Sequence, residues 1–210
     1  MASDANRHHE RLTHDDRRDE ILAAVRQTVV EDGLSRLSIS AVASRAGCTR
    51  SLFYHYFPTK EDALQAVLDL SIDSFVEQLT AWNESRVSGD IEGSLDSAAH
   101  MLKNMIVKKG DVMSQSVVHS GNAALYASFV HRAADRLARY ICSSTVVDFA
   151  AHHEVQIDHL YETFYVLITG LIMFVRTHPD APEGTIKDII ASTLHIEGYT
   201  AKYPERRPER

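Results

Sequence analysis

Apolar residues along this 210-residue chain recur three and four positions apart, and no stretch alternates apolar and polar residues as a half-buried strand does. The first stripe, Ile21, Leu22, Val25 and Val29, predicts a helix from about Arg17 to Glu31 that Gly33 stops. A short second helix follows. Ser38 has N-cap chemistry, and Ile39, Val42, Ala43 and Ala46 lie at i, i+3, i+4 and i+7 before Gly47. Thr49 caps a third helix, which Pro58 ends because it disfavours helical geometry at Phe57. A fourth begins at Thr59 or Lys60 and carries Leu64, Val67, Leu68, Phe75 and Leu79 toward Trp82. Further helices are expected over about 91–108, 111–119, 122–150, 154–177 and 183–199. The fold class this predicts is all-α: three N-terminal helices in 17–59, joined by a long fourth helix to a larger helical domain in 60–203. Residues 1–16 and 204–210 read as disordered ends.

Two short helices joined by Gly47, Cys48 and Thr49, after a longer first helix, make a helix-turn-helix. Projecting the third helix at about 100° per residue puts Leu52, Phe53 and Tyr56 on one side, facing the first two helices. Arg50, Ser51, Tyr54 and His55 fall in a polar sector on the other side. That sector offers a guanidinium, a hydroxyl, a phenol and an imidazole, as a major-groove reader requires. Ser38 and Thr49 stand at helix N-termini, where backbone N–H groups favour phosphate, and Lys60 can hold the same strand from the start of the fourth helix.

Charge at first argues against a nucleic-acid partner, because the net value is −7. Its distribution changes the picture. Residues 1–60 hold nine Lys and Arg against eight Asp and Glu, while 61–210 hold thirteen against twenty-one. His8, His9, His14 and His55 can add charge to the first segment near a polyanion. A nearly neutral head on an acidic body suits a site-specific reader better than a non-specific coat. The two cysteines, Cys48 and Cys142, are too few for a disulfide framework and point to a reducing compartment. No signal peptide is read in the polar first eighteen residues, and the apolar run Phe164 to Val175 is too short to span a bilayer. A cytoplasmic protein without a membrane partner is expected.

The stretch Leu37 to Asp62, LSISAVASRAGCTRSLFYHYFPTKED, resembles the signature of the TetR family of transcriptional regulators. Ala43, Ala46-Gly47, Thr49, Phe53-Tyr54, Tyr56-Phe57 and Lys60-Glu61 stand where that pattern expects their types, within a resemblance running from Arg17 to Val67. It implies a homodimer, usually a repressor, released from palindromic operator DNA by a small molecule bound in the C-terminal domain. Carried over by position, Arg50, Ser51, Tyr54 and His55 face bases or backbone, and Ser38, Thr49, Tyr54 and Lys60 hold phosphates. Two positions depart from the pattern: Ser51 often corresponds to Gly or Ala, and Leu52 to a small polar residue.

In the body, Ile157, Leu160, Phe164, Ile168, Leu171 and Val175 form one stripe, and Ile186, Ile189, Ile190 and Leu194 another. Helices this apolar on more than one side need two partners. Pairing of the last two helices with their copies across a two-fold axis satisfies this, with Leu171 and Ile190 on the seam; packing within one subunit also does. Gly170 leaves room for a close helix neighbour. Candidate ligand contacts are Met101, Met105, Met113, His119, Tyr126, Phe129, Phe164 and Tyr165, adaptable apolar walls with a few polar handles that also fit plain core packing. His152, His153 and His159 match no zinc spacing, so neither metal nor cofactor is expected. No nucleophile-base or nucleotide-binding arrangement stands out, so no enzyme is expected. The alternative is a helical adaptor that has lost DNA binding.

Overall fold

The computed structural model describes residues 14–87, 89–107 and 122–200. Among them every regular element is helical: α1 (His14–Asp32), α2 (Ile39–Arg45), α3 (Arg50–Tyr56), α4 (Lys60–Ser85), α5 (Ile91–Val107), α6 (Ala123–Ser143), α7 (Thr145–Ala150), α8 (Leu160–Thr177) and α9 (Glu183–Thr193). Short 3₁₀ turns stand at Leu34–Arg36 and Glu197–Tyr199. The helix expected over 111–119 lies outside the described residues. The chain forms two compact units, divided between Leu68 and Asp69, inside α4.

The first unit buries the α1 stripe Ile21, Leu22, Val25 and Val29, together with Val42 and Phe53 from the next two helices and Phe57 just after them. From the start of α4 it adds Ala63, Leu64, Val67 and Leu68. Residues 14–16, expected to be disordered, are helical. Asp15 and Asp16 occupy the first turn, where carboxylates complement the unpaired N–H groups of a helix start. Arg45, closing α2, bonds Glu31 and reaches Asp32 at 2.9 Å, bracing α2 against the end of α1. The Arg45 bond, helped by one from Gln27, holds the Glu31 carboxyl below its usual range.

In the second unit α6 lies along α8, and α9 along α5. The face α6 buries is rich in small residues: Ala133, Ala134 and Ala138 stand between Phe129, Val130 and Leu137. Arg132 to Asp69 (2.6 Å) and Arg136 to Asp73 tie successive turns of α6 to successive turns of α4. A second core gathers Ala99 from α5, Leu167, Leu171 and Val175 from α8, and Ile186 from α9. Lys187 fastens α9 to α5 through Glu92 and Asp96. Its burial would lower the ammonium pKa, and the two carboxylates reverse that to a net rise.

Three sequence expectations need correction here. The helix expected over 122–150 breaks at Ser144, whose hydroxyl and N–H both turn back to the Tyr140 carbonyl at 2.6 and 3.0 Å. Such local side-chain bonding offers the backbone an alternative to the helical ladder. The helix expected from 154 starts at Leu160; His153, just before the segment, is held by ring contacts to Phe149 and Tyr199 at 4.7 and 5.2 Å. The last helix ends at Thr193, because His195 takes φ 55 while the N–H groups of His195 and Ile196 return to Ser192 and Ala191. This is a Schellman ending with histidine where glycine is usual.

Leu171 and Ile190, expected on an inter-subunit seam, pack within the chain's own core: Leu171 is 4% exposed, and Ile190 is half-buried against the same cluster. The outward face of α8 carries Val166 and Met173 instead, 67% and 43% exposed, with Gly170 between them in open space. α8 also corrects the expectation drawn from its apolar run. Its 18 residues, with mean hydropathy 1.3, are long and apolar enough to cross a membrane by length and composition. Five of its side chains, from Phe164 to Val175, are buried in the protein core.

Candidate nucleic-acid interface

The reading surface is set up by local capping. Ser38 Oγ accepts from the Ala41 N–H at 3.2 Å and Thr49 Oγ1 from the Leu52 N–H at 3.1 Å, so both short helices start on hydroxyl caps. Between them Gly47 takes φ 60, its N–H returning to the Ser44 carbonyl and that of Cys48 to Ala43 at 2.9 Å. That closes α2 in one turn and aims α3 away from it. Phe57 leaves the helix with φ −136, and the next cap is reciprocal: Thr59 N–H donates to Asp62 and Asp62 N–H to Thr59, at 3.0 and 3.1 Å.

Phe53, fully buried, pins α3 to the unit beneath it, and Leu52 and Tyr56 are half-buried beside it. Arg50, Ser51, Tyr54 and His55 are exposed, Tyr54 by 54%. The helical projection therefore matches the burial residue by residue. The Arg50 guanidinium donates to Ser40 Oγ, so a residue of α2 that carries no sequence signal orients the principal base-reading candidate. Lys60 Nζ donates to the Leu37 carbonyl at 3.0 Å and lies 3.8 Å from Glu61. This brings the start of α4 beside Ser38. Arg18 sits 5.5 Å over the Phe57 ring. Cys48 is half-buried, and burial pushes its thiol pKa up, which keeps it protonated and weakly nucleophilic at neutral pH.

Of the ligand candidates, Met113 and His119 lie outside the described residues. Met101 and Met105 are half-buried on α5. Phe129 and Phe164 are core residues of α6 and α8, and Phe129 meets Phe75 edge-on at 6.4 Å. Tyr126 donates to Met173 Sδ at 3.6 Å beneath the Arg176 guanidinium, and Tyr165 Oη bonds His131 Nδ1 at 2.8 Å. A groove of about 450 Å³ opens elsewhere, along α9 and the turn after it, with Thr185, Asp188, Ile189, Ser192, Glu197 and Thr200 in its lining. None of the described candidates lines it. Among the described residues no three His, Cys, Asp or Glu side chains gather as a metal site.

Residues 21–67, which hold this whole surface from Ser38 to Lys60, match the model for bacterial regulatory proteins of the tetR family. Over that segment the chain is similar to the TetR family of regulators. A curated relative is the HTH-type transcriptional activator FasR of Mycolicibacterium smegmatis, 29% identical over 101 residues. The match covers 45% of this chain and 46% of FasR, so it spans about half the length of that relative. Among solved structures, a TetR-family transcriptional regulator from Mesorhizobium loti MAFF303099 aligns with TM-score 0.62 and 14% identity, over 88% of this chain and 96% of that one. The multidrug binding protein EbrR, complexed with imidazole, aligns with TM-score 0.60 and 17% identity, over 85% and 94%. These two likenesses establish the all-helical fold.

Proposed function

We propose that this chain is a ligand-responsive, sequence-specific transcriptional regulator that works in the cytoplasm as a homodimer on a palindromic operator. The observation that carries it is the exposed set Arg50, Ser51, Tyr54 and His55 on a helix capped by Thr49 and pinned by buried Phe53. Arginine can bond both acceptors on a guanine edge, and the hydroxyl, phenol and imidazole suit bases or phosphates. Ser38, Thr49 and Lys60 are the phosphate contacts in this reading. Each reader covers one half-site, and the two heads of a dimer reach major grooves about 34–36 Å apart or a multiple of it. The exposed α8 face of Val166, Gly170 and Met173, with the neighbouring α9, is the proposed seam.

The effector is read as a largely apolar small molecule with one or two polar groups, contacting residues such as Met101, Met105, Tyr126, Phe129, Phe164 and Tyr165, with Met113 and His119 from the segment outside the described residues. EbrR, solved with imidazole, is a fold neighbour that takes a small molecule. Repression is proposed as occlusion: a bound dimer blocks its operator, and the effector favours the DNA-incompetent shape and releases it. The relatives matched are named as regulators and binding proteins, and the chain is read as one of them and not as an enzyme.

Selection of duplexes from random sequence by the full-length protein tests the reading. Enrichment of a palindromic consensus is the expected result. No enrichment would leave the chain a helical adaptor. On the selected duplex, Lys60→Ala should weaken binding to all sequences alike and lower the slope of log K against log salt by about one, as loss of one phosphate contact requires. Filter binding at a series of salt concentrations measures it.

A further inference from the structure

We infer that His14 and His55 form a phosphate-binding imidazole pair at the edge of the reading helix, gripping the DNA backbone more tightly as pH falls; the inference rests on the DNA-binding reading above. His14 is the first residue of α1 and lies outside the family-matched stretch. Its ring nevertheless packs on the far end of α3, 4.6 Å from Tyr56 and 6.1 Å from His55 between centroids. His55 and Tyr56 are themselves in edge contact at 5.3 Å. Two imidazoles from different helices thus share one corner of the surface that carries Arg50, Ser51 and Tyr54. Both are open to an incoming strand, the His14 side chain by 64%.

Among the described residues, the charged and titratable groups placed against His14 are Asp15, His55 and Tyr56. On its own helix Asp15 Oδ1 stands 3.6 Å from Nδ1, with the Asp15 side chain almost fully in solvent; on α3 there are His55 and Tyr56. A backbone phosphate laid against the corner attracts the imidazolium form of both rings. The complex then binds more protons than the free protein and DNA together. By linkage the association constant rises as pH falls through the histidine range. A net uptake averaging about 0.4 proton on binding tightens it on the order of sixfold between pH 8 and pH 6.

The test is fluorescence anisotropy on the duplex selected from random sequence, at pH 6 and pH 8 and constant ionic strength. It compares the full-length protein with His14→Gln, which cannot take a charge, and His14→Arg, which never loses one. The wild-type ratio of affinities should be about sixfold or more. In both variants the ratio should fall to about half of that or below, with His14→Arg the tighter binder at pH 8. A purely structural role for His14 would lower affinity by one factor at both pH values and leave the ratio intact, and that result overturns the inference alone. Failure of the wild-type protein to bind any duplex overturns the DNA-binding reading with it.

Discussion

Arg50→Ala should weaken binding to the selected operator by about 1–3 kcal/mol, roughly five- to 150-fold, while leaving the melting temperature where it was. The size follows from what the guanidinium offers a guanine edge: two charge-assisted bonds in a fixed fork, which alanine replaces with water. The neutrality of the fold follows from exposure. Arg50 is exposed, and its bond to Ser40 joins two surface side chains. Base identity at one operator position should relax in the same variant. Tyr54→Phe deletes a hydroxyl and keeps the ring, so its expected loss is smaller, about 0.5–1.5 kcal/mol. Ser40→Ala tests positioning: it removes the group that orients the guanidinium and should erode discrimination between operators before it erodes affinity for phosphate-rich competitor DNA. Competition titrations against the consensus and single-base variants, with circular dichroism for the fold, measure all three. Unchanged affinity in Arg50→Ala and Tyr54→Phe would remove α3 from the reading role.

The second large effect separates assembly from folding. Val166→Glu and Met173→Glu put charges on an outward apolar face, and if that face is the seam, sedimentation should show monomers that keep their helical signal. A monomer has one reading head and should lose most of its specific affinity. Leu171→Glu should behave differently. Its side chain lies among Ala99, Leu167, Val175 and Ile186, so the charge enters a closed core, at a cost on the order of 4 kcal/mol or more. That approaches the whole stability of an ordinary domain, and the expected readout is a collapsed melting transition. Monomeric wild-type protein at micromolar concentration would refute the seam.

The contrast between Leu171 and Val166 shows where sequence reading stops. Periodicity identifies an apolar stripe on α8 and cannot say whether its partner is in the same chain. Only burial separates the two faces. By contrast, the helix-turn-helix was legible almost to the residue, because its signals are local and chemical: hydroxyl caps at Ser38 and Thr49, the turn at Gly47, and Pro58 after Phe57. Element ends were lost where a non-standard residue did the work. Ser144 breaks a helix with its own hydroxyl, and His195 closes one in a conformation that sequence rules reserve for glycine or asparagine. Ile157 kept the α8 stripe in phase three residues before the helix begins, so pattern alone extended it. In the candidate site, Arg50, Ser51, Tyr54 and His55 came from projecting one helix. Ser40 and His14 did not, since each meets α3 from another element and no spacing along the chain encodes that approach.

Gly47 has a further consequence. Its φ of 60 strains ordinary side chains, yet a Cβ built there would meet nothing within 4 Å. The restriction at this turn is therefore one of handedness and not of size. An L-alanine is strained by its own backbone, while its mirror image would sit without strain and would also narrow the unfolded ensemble. In a semisynthetic protein, D-alanine at position 47 would fasten the angle between the two short helices more firmly than the natural residue does. The turn that aims the reader is thus a stereochemical filter with empty space around it.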